Sequence, residues 1–219
     1  YIQSGWASLD AALGGGLPSG TLTEVSGIEG SGKTQLCLQL CACTLLCTEA
    51  ARISTACSNT GSSNPGASTG MTSGSVAYFD LELRGSALAK RLQEMLHFYW
   101  SSVYGQGDLA PNRAEELSSL VMLQTPKSCA ELQTAVGELQ ALVVGSGVKL
   151  VVIDNLSSLV QKDNLKRDSN LDEYLIGLIA SLKTVAEECS CTVVITNSIK
   201  ADAAVDVADA ADASAKDIS

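Results

Sequence analysis

The sequence predicts an α/β fold in which a mainly parallel sheet is flanked by helices, and three observations lead to this fold class. First, short apolar segments alternate with longer segments of helical periodicity, as in chains built from β-α-β units. Second, the apolar run at residues 149–153 is unbroken, which is typical of a strand buried on both faces. Third, a glycine-rich loop at residues 27–34 separates the first predicted strand from the first long helix.

The beginning of the chain contains a turn, a strand and a helix, in that order. Glycine and proline favour a turn at residues 13–20, and residues 22–26 form a short apolar strand before the glycine-rich loop. From Lys33 to about Cys47 the residues are mostly apolar with a helical repeat. We therefore predict the first long helix there.

The next segment interrupts this pattern before the alternation resumes. Residues 54–75 are almost entirely Ser, Thr, Gly, Asn, Ala and Pro, and such residues bury too little surface to offset the entropy lost on ordering. We predict a flexible insertion there, a strand at residues 76–79, and then a helix with one apolar face. That face contains Leu88, Arg91, Leu92, Met95, Leu96 and Tyr99.

The remaining elements repeat the alternation. Residues 120–123 are predicted as a strand and residues 129–144, approximately, as a helix. The helix after the buried strand has the clearest periodicity, and Ser169 or Asn170 offers its N-cap. Its apolar face contains Leu171, Tyr174, Leu175, Leu178, Ile179, Leu182 and Val185. Residues 192–196 form the last predicted strand.

Composition and length indicate one globular domain. The chain has 219 residues, of which 46% are hydrophobic and 17% charged. Residues 1–199 form the predicted core, and residues 200–219 are an acidic Ala/Asp-rich segment that we predict to be mobile, with a weak amphipathic helix as the alternative. No apolar run reaches the roughly 18 residues that span a bilayer, and the start lacks the features of a signal peptide. We therefore expect a soluble, intracellular protein without membrane contacts.

The net charge of −10 restricts any role in nucleic-acid binding. Proteins that hold nucleic acid over a broad surface are usually basic, because contacts with phosphate dominate their affinity. An acidic chain binds DNA only through a local basic strip, or with the help of another subunit.

The eight cysteines and the single histidine, His97, do not predict a metal site. Four of the cysteines lie in one apolar helical segment without the CxxC spacing of zinc ligands, and two flank the start of the last strand. We interpret them as buried free thiols in a reducing compartment. These six cysteines are Cys37, Cys41, Cys43, Cys47, Cys189 and Cys191.

The glycine-rich loop has the pattern GxxxxGK[ST] of a phosphate-binding loop, with a strand before it and a helix after it. Its glycines allow backbone N–H groups to surround phosphates, and the following helix adds its positive N-terminus. Lys33 would neutralise the terminal phosphates, and Thr34 would offer a hydroxyl to Mg²⁺. The predicted nucleotide-binding residues are Gly27, Ile28, Glu29, Gly30, Ser31, Gly32, Lys33, Thr34 and Gln35.

Two carboxylates follow predicted strands and are candidates for the chemistry. Asp154 ends the buried strand, which places it at the carboxyl edge of the sheet beside the loop, where Mg²⁺ needs a second oxygen ligand. The alternative is an ordinary aspartate in a turn. Glu82 lies three residues after another strand and could orient and deprotonate an attacking water, although this signal is weak by itself.

Several further motifs resemble the RecA/RadA recombinase family, in particular the eukaryotic strand-exchange recombinases and their paralogues. The similarity covers about nine-tenths of the chain. Its motifs are Ser4-Gly5, Leu9-Asp10, Leu13-Gly14-Gly15-Gly16, Thr23-Glu24 before the loop, Lys33-Thr34-Gln35-Leu36-Cys37, Tyr78-Phe79-Asp80-Leu81-Glu82, Leu150 to Asp154, and Val194-Ile195-Thr196-Asn197.

The resemblance implies a P-loop ATPase core of RecA type that uses ATP and Mg²⁺ in homologous recombination and DNA repair. Lys33 and Glu82 correspond to catalytic residues, and Thr34 and Asp154 to the metal ligands. It further implies slow hydrolysis that DNA or a partner stimulates, related recombinase or paralogue subunits as partners, and a nuclear location. Residues of the family's first DNA loop correspond to Lys162, Lys166 and Arg167, which would contact single-stranded DNA.

The chain also departs from the family pattern. Ser198 replaces a glutamine that senses the terminal phosphate, and we expect the last strands of the core and the N-terminal helical domain to be missing. These differences favour a divergent paralogue or mediator. Two alternatives stay open: a non-hydrolysing interaction subunit that binds ATP, and a KaiC-like signalling ATPase. Phe98, Tyr99, Trp100 and Tyr104 could stack on bases, but packing or a subunit contact is the favoured interpretation.

Overall fold

A computed structural model describes residues 1–58, 74–104, 111–163 and 169–199 of the chain. Within these residues the strands are β1 (Leu22–Gly27), β2 (Ser75–Asp80), β3 (Val121–Gln124), β4 (Val148–Asp154) and β5 (Thr192–Ser198). They form one parallel sheet in the order β1-β5-β4-β2-β3. The predicted α/β class is confirmed, and each strand lies within two residues of its predicted position.

Helices lie before, between and after these strands. They are α1 (Ala7–Ala12), α2 (Lys33–Ser58), α3 (Gly85–Tyr104), α4 (Pro111–Ser118), α5 (Cys129–Ser146), α6 (Leu156–Lys162) and α7 (Ser169–Cys189). The long helices α2, α3, α5 and α7 were predicted. The shorter helices α1, α4 and α6 were not, because each has too few turns to show a clear apolar repeat.

The sheet is covered on both faces, and β4 shows this most directly. Leu150 and Val152 belong to the apolar core under α2, α3 and α4, whereas Val151 and Ile153 belong to the core under α5, α6 and α7. All four side chains are fully buried. This double burial confirms the interpretation of the unbroken apolar run, since alternate residues of a strand point to opposite faces.

Helix α2 is longer than predicted, and this corrects the sequence interpretation. It continues to Ser58 instead of ending near Cys47, so it includes the first residues of the predicted insertion. Tertiary contacts hold its second half: Glu49 is buried and accepts a hydrogen bond of 2.9 Å from Arg113 Nε of α4. The rest of the predicted insertion, residues 59–73, and the acidic segment 200–219 lie outside the described residues.

The described cysteines are free thiols. Cys37 and Cys41 are fully buried in α2, and burial raises the pKa of Cys43 to about 12 and that of Cys191 to about 11. In the described ranges no group of three or more His, Cys, Asp or Glu side chains is arranged to hold a metal ion. No helix in this part of the chain is long and apolar enough to cross a membrane.

Candidate nucleotide-binding site

The carboxyl edge of the sheet brings the predicted site residues together. Because all the described strands are parallel, the carboxyl ends of β1, β2, β4 and β5 lie at the same edge. A cleft of about 610 Å³ lies there. It is lined by Glu29, Gly30, Gly32, Lys33, Thr34, Gln35, Glu82, Arg84, Asp154, Asn155, Ser158 and Ser198.

The phosphate-binding loop begins where β1 ends and closes on the first turn of α2. Gly30 and Gly32 have φ values of +76° and +91°, in the left-handed region that favours glycine. Lys33 is buried, and its Nζ donates hydrogen bonds of 2.8 Å to the carbonyl oxygens of Gly27 and Ile28. The lysine ammonium is thereby fixed over the loop, at the N-terminus of α2, where phosphate binding is most favourable.

Asp154 lies at the centre of a set of hydrogen bonds. Its carboxylate is buried. Oδ2 accepts three hydrogen bonds, each of 2.8 Å, and Oδ1 accepts one of 2.6 Å from Thr196 Oγ1. The donors to Oδ2 are Thr34 Oγ1, Tyr78 OH and Arg84 Nη2. Burial raises the pKa of Tyr78 well above its usual range, so the phenol remains protonated and donates. Four donors therefore satisfy the hydrogen-bonding capacity of this buried carboxylate.

Glu82 lies in the turn between β2 and α3, across the cleft from the loop. The buried carboxylate of Asp80 shapes this turn by accepting a hydrogen bond of 3.1 Å from the backbone N–H of Glu82 and another from that of Arg84. Glu82 Oε1 accepts a hydrogen bond of 3.2 Å from Asn155 Nδ2. Its Oε2 lies 3.3 Å from Arg84 Nη1. The side chain is therefore held from both sides while it remains partly exposed to the cleft.

Ser198 connects β5 to the same network. Its hydroxyl accepts a hydrogen bond of 2.6 Å from Asn155 Nδ2, the same group that contacts Glu82. Ser157 Oγ donates to Asn155 Oδ1 at 2.7 Å, which fixes the orientation of the amide. Asn155 thus bridges Glu82 and Ser198.

The donor set suits a nucleotide with Mg²⁺. Thr34 and Asp154 offer a hydroxyl and a carboxylate oxygen 2.8 Å apart, and hard divalent cations prefer oxygen ligands of this kind. The fixed ammonium and the helix N-terminus next to them supply positive charge for phosphates. The residues present therefore fit both groups.

Of the predicted DNA-contacting residues, the structure describes Lys162. Lys162 is the last residue of α6, where its Nζ donates a hydrogen bond of 2.9 Å to the Leu81 carbonyl. Lys166 and Arg167 lie outside the described residues. In α3, Tyr99 and Trp100 pack against the core, as the favoured interpretation expected.

The remaining aromatic residues of that cluster differ. Phe98 is exposed over 66% of its surface and makes an edge-to-face contact with Tyr99, with ring centroids 5.3 Å apart. The side chain of Tyr104 lies outside the described part of the chain.

Three cleft residues were missed by the sequence analysis: Arg84, Asn155 and Ser158. Arg84 and Asn155 each follow a predicted site residue by one or two positions, and this proximity was the signal available in the sequence. Neither belongs to a recognisable spacing motif. Their roles depend on the turn after β2 and on the end of β4, which only the folded chain brings together.

Comparison with known proteins agrees with this geometry. Residues 3–197 match the AAA domain family. The human DNA repair protein RAD51 homolog 2 is 31% identical over 206 residues, which cover 91% of this chain and 46% of that protein. The DNA repair and recombination protein RadB of Thermococcus kodakarensis is 28% identical over 202 residues, which cover 92% of this chain and 71% of that protein.

A solved structure has the same fold. The crystal structure of the RadB recombinase superposes with a TM-score of 0.62 at 27% identity, over 90% of this chain and 70% of that one. The chain spans about half the length of the RAD51 homolog 2 proteins that it matches, 46% of the human and 51% of the mouse protein.

Proposed function

The chain belongs to the RecA/RadA-type recombinases within the AAA domain family, and from that premise we propose that it is an ATP-binding, DNA-dependent ATPase that acts as a recombinase paralogue or mediator subunit. One observation carries the proposal. A single cleft at the carboxyl edge of the sheet is lined by Lys33, Thr34, Glu82 and Asp154. These residues supply the charges that a nucleoside triphosphate requires.

Binding depends on the loop and on the first turn of α2. The backbone around Gly30 and Gly32 surrounds the phosphates, and the Lys33 ammonium exchanges its two carbonyl partners for phosphate oxygens. When bound, Mg²⁺ supplies neutralisation of the phosphate charge, and Thr34 and Asp154 are the residues that would hold it.

Hydrolysis depends on Glu82. Its carboxylate orients the attacking water and accepts its proton, and Asn155 and Arg84 keep the side chain in position. The site faces open solvent at one side of the cleft. A neighbouring related subunit would complete it, and we therefore expect slow turnover by the chain alone.

The nuclear location and the paralogue partners belong to the same proposal. They are supported by the similarity to eukaryotic DNA repair proteins, among them the Arabidopsis thaliana DNA repair protein XRCC3 homolog, which is 27% identical over 208 residues. That alignment covers 90% of this chain and 60% of that protein.

The direct experiment measures steady-state ATP hydrolysis by the purified chain with and without single-stranded DNA, and again with a related recombinase subunit. We expect slow basal turnover that either addition increases. ATP binding without turnover under every condition would favour a non-hydrolysing interaction subunit. Ser198, which accepts a hydrogen bond from Asn155, favours that second candidate, because by resemblance it replaces the glutamine that senses the terminal phosphate.

Weak, salt-dependent binding of single-stranded DNA is a separate prediction. Each phosphate contact contributes about 0.7 to the slope of log K against log salt for single strands. The triple change of Lys162, Lys166 and Arg167 to alanine is therefore expected to flatten the slope by up to about 2, the equivalent of three phosphates. The measurement is a salt titration of DNA binding in the presence of ATP.

A matched control for this titration removes three positive charges elsewhere on the chain. Lys90, Lys127 and Lys183 are exposed residues outside the cleft, and their triple alanine variant should keep the wild-type slope. A wild-type slope in the Lys162, Lys166 and Arg167 variant would contradict the assignment, as would tight binding that salt does not weaken.

A further inference from the structure

Arg84 contacts the two side chains that would hold the metal ion. It is the last residue before α3, and its Nη2 lies 2.8 Å from Asp154 Oδ2 and 3.1 Å from Thr34 Oγ1. One N–H group of the guanidinium therefore sits between the carboxylate oxygen and the hydroxyl oxygen that Mg²⁺ would use.

A guanidinium in this position and a metal ion exclude each other. Mg²⁺ requires its oxygen ligands at about 2.0–2.1 Å in near-octahedral geometry, so a nitrogen atom close to both oxygens occupies the space of the ion. Both groups are also cations that stabilise the same buried carboxylate. Asp154 is 1% exposed and in this conformation has Arg84 as its cationic partner.

The hydrogen bonds of Arg84 in this position are incomplete, and the side chain can therefore be displaced. Its Nε is buried and donates to no atom of the described chain, and Asp80 Oδ1 lies 3.9 Å from it, beyond hydrogen-bond distance. A buried donor without a partner is unfavourable. The side chain is 34% exposed and contacts Glu82 through Nη1, so it has both an exit to solvent and a second partner.

We propose that Arg84 is a resident cation of the metal site, which competes with Mg²⁺ for Thr34 and Asp154 and must move aside when the metal binds with nucleotide. The inference rests on the proposed ATP site and adds a form of regulation to it. Without metal, Arg84 neutralises the buried carboxylate. With metal, part of the binding energy of Mg²⁺ is offset by the loss of this ion pair, so the site requires more Mg²⁺ than it would without the arginine.

The test is a Mg²⁺ titration of nucleotide binding, starting from excess chelator, with a fluorescent ATP analogue at fixed concentration. Arg84→Gln should lower the Mg²⁺ concentration at half-maximal binding by about three- to tenfold, because a partly exposed ion pair no longer opposes the metal. Arg84→Lys keeps the charge but cannot bridge both oxygens in the same way, and it should give an intermediate value. Lys90→Ala, which removes one positive charge from the exposed surface of α3, should leave the midpoint unchanged.

The outcomes separate this inference from the proposed function. A wild-type chain that binds the nucleotide, together with an Arg84→Gln variant whose midpoint is unchanged or higher, would overturn the competition while leaving the ATP site intact. A wild-type chain that binds no nucleotide at any Mg²⁺ concentration would contradict the proposed function and remove the inference with it. Circular dichroism of each variant confirms that it is folded, and Arg84→Lys decides the matter if Arg84→Gln does not fold.

Discussion

Replacement of Lys33 by alanine is expected to abolish ATP binding or to weaken it by a factor on the order of 100 or more, since each charge-assisted hydrogen bond to phosphate contributes about 1.5–3 kcal/mol. The ammonium lies over the loop, held by the carbonyl oxygens of Gly27 and Ile28, and no other lysine or arginine belongs to the loop. Equilibrium titration with a fluorescent ATP analogue measures the effect.

The fold is expected to survive this change. Within the described residues, Lys33 Nζ hydrogen-bonds only to the loop itself. Its aliphatic chain is also small compared with the apolar side chains that α2 packs into the core. Lys90→Ala is the matched control, because it removes the same charge from an exposed position on α3 and should keep the affinity. Unchanged ATP affinity in a folded Lys33→Ala variant would reject the assignment of the loop.

The sheet was predictable because its strands are buried on both faces. A strand such as β4 has no polar face, so its sequence is an unbroken apolar run that ends where the chain reaches solvent, at Asp154. The loop was predictable for a similar reason: the glycine positions and the lysine are required by local geometry. In both cases the necessary information lies within a few consecutive residues.

The extent of α2 was not predictable in this way. Beyond Cys47 the large apolar residues no longer repeat at helical spacing, and the ion pair between Glu49 and Arg113 that anchors the helix joins residues far apart in the sequence. The helices α4 and α6 have the same difficulty, since their buried apolar residues are defined by contacts with distant elements, and α1 buries no residue at all.

The candidate site divides along the same line. The sequence identifies Lys33 and Thr34 by the loop motif and Asp154 by its place at the end of a buried strand. Arg84 and Asn155 are recognised only by their contacts in the folded chain. Arg84 reaches Asp154 only because β2 and β4 are neighbours in the sheet with Asp80 beside Asp154. Asn155 reaches Glu82 across the same pair of strands. Such contacts between loops depend on strand order, which the sequence analysis did not specify.

Replacement of Glu82 by glutamine is expected to leave ATP affinity nearly unchanged and to reduce hydrolysis by about 10²–10⁴, the usual contribution of a general base. Glutamine has nearly the same shape and can still accept a hydrogen bond from Asn155 through its amide oxygen, so the cleft keeps its form. What it loses is the ability to take a proton from water. The measurement compares ATP binding and turnover in the complex with related subunits, where the proposed function predicts the fastest turnover.

A change of charge alone must be separated from the loss of the base. Glu94→Gln removes one negative charge from an exposed position on α3, where the glutamate pairs with Arg91, and it should leave both binding and turnover at wild-type levels. If Glu82→Gln lowers binding and turnover equally, the carboxylate supports the structure of the cleft through Asn155 and Arg84. If turnover is undiminished, Glu82 has no part in the mechanism. Only loss of turnover with retained binding identifies it as the residue that acts on the attacking water, because a general base stabilises the transition state and not the bound nucleotide.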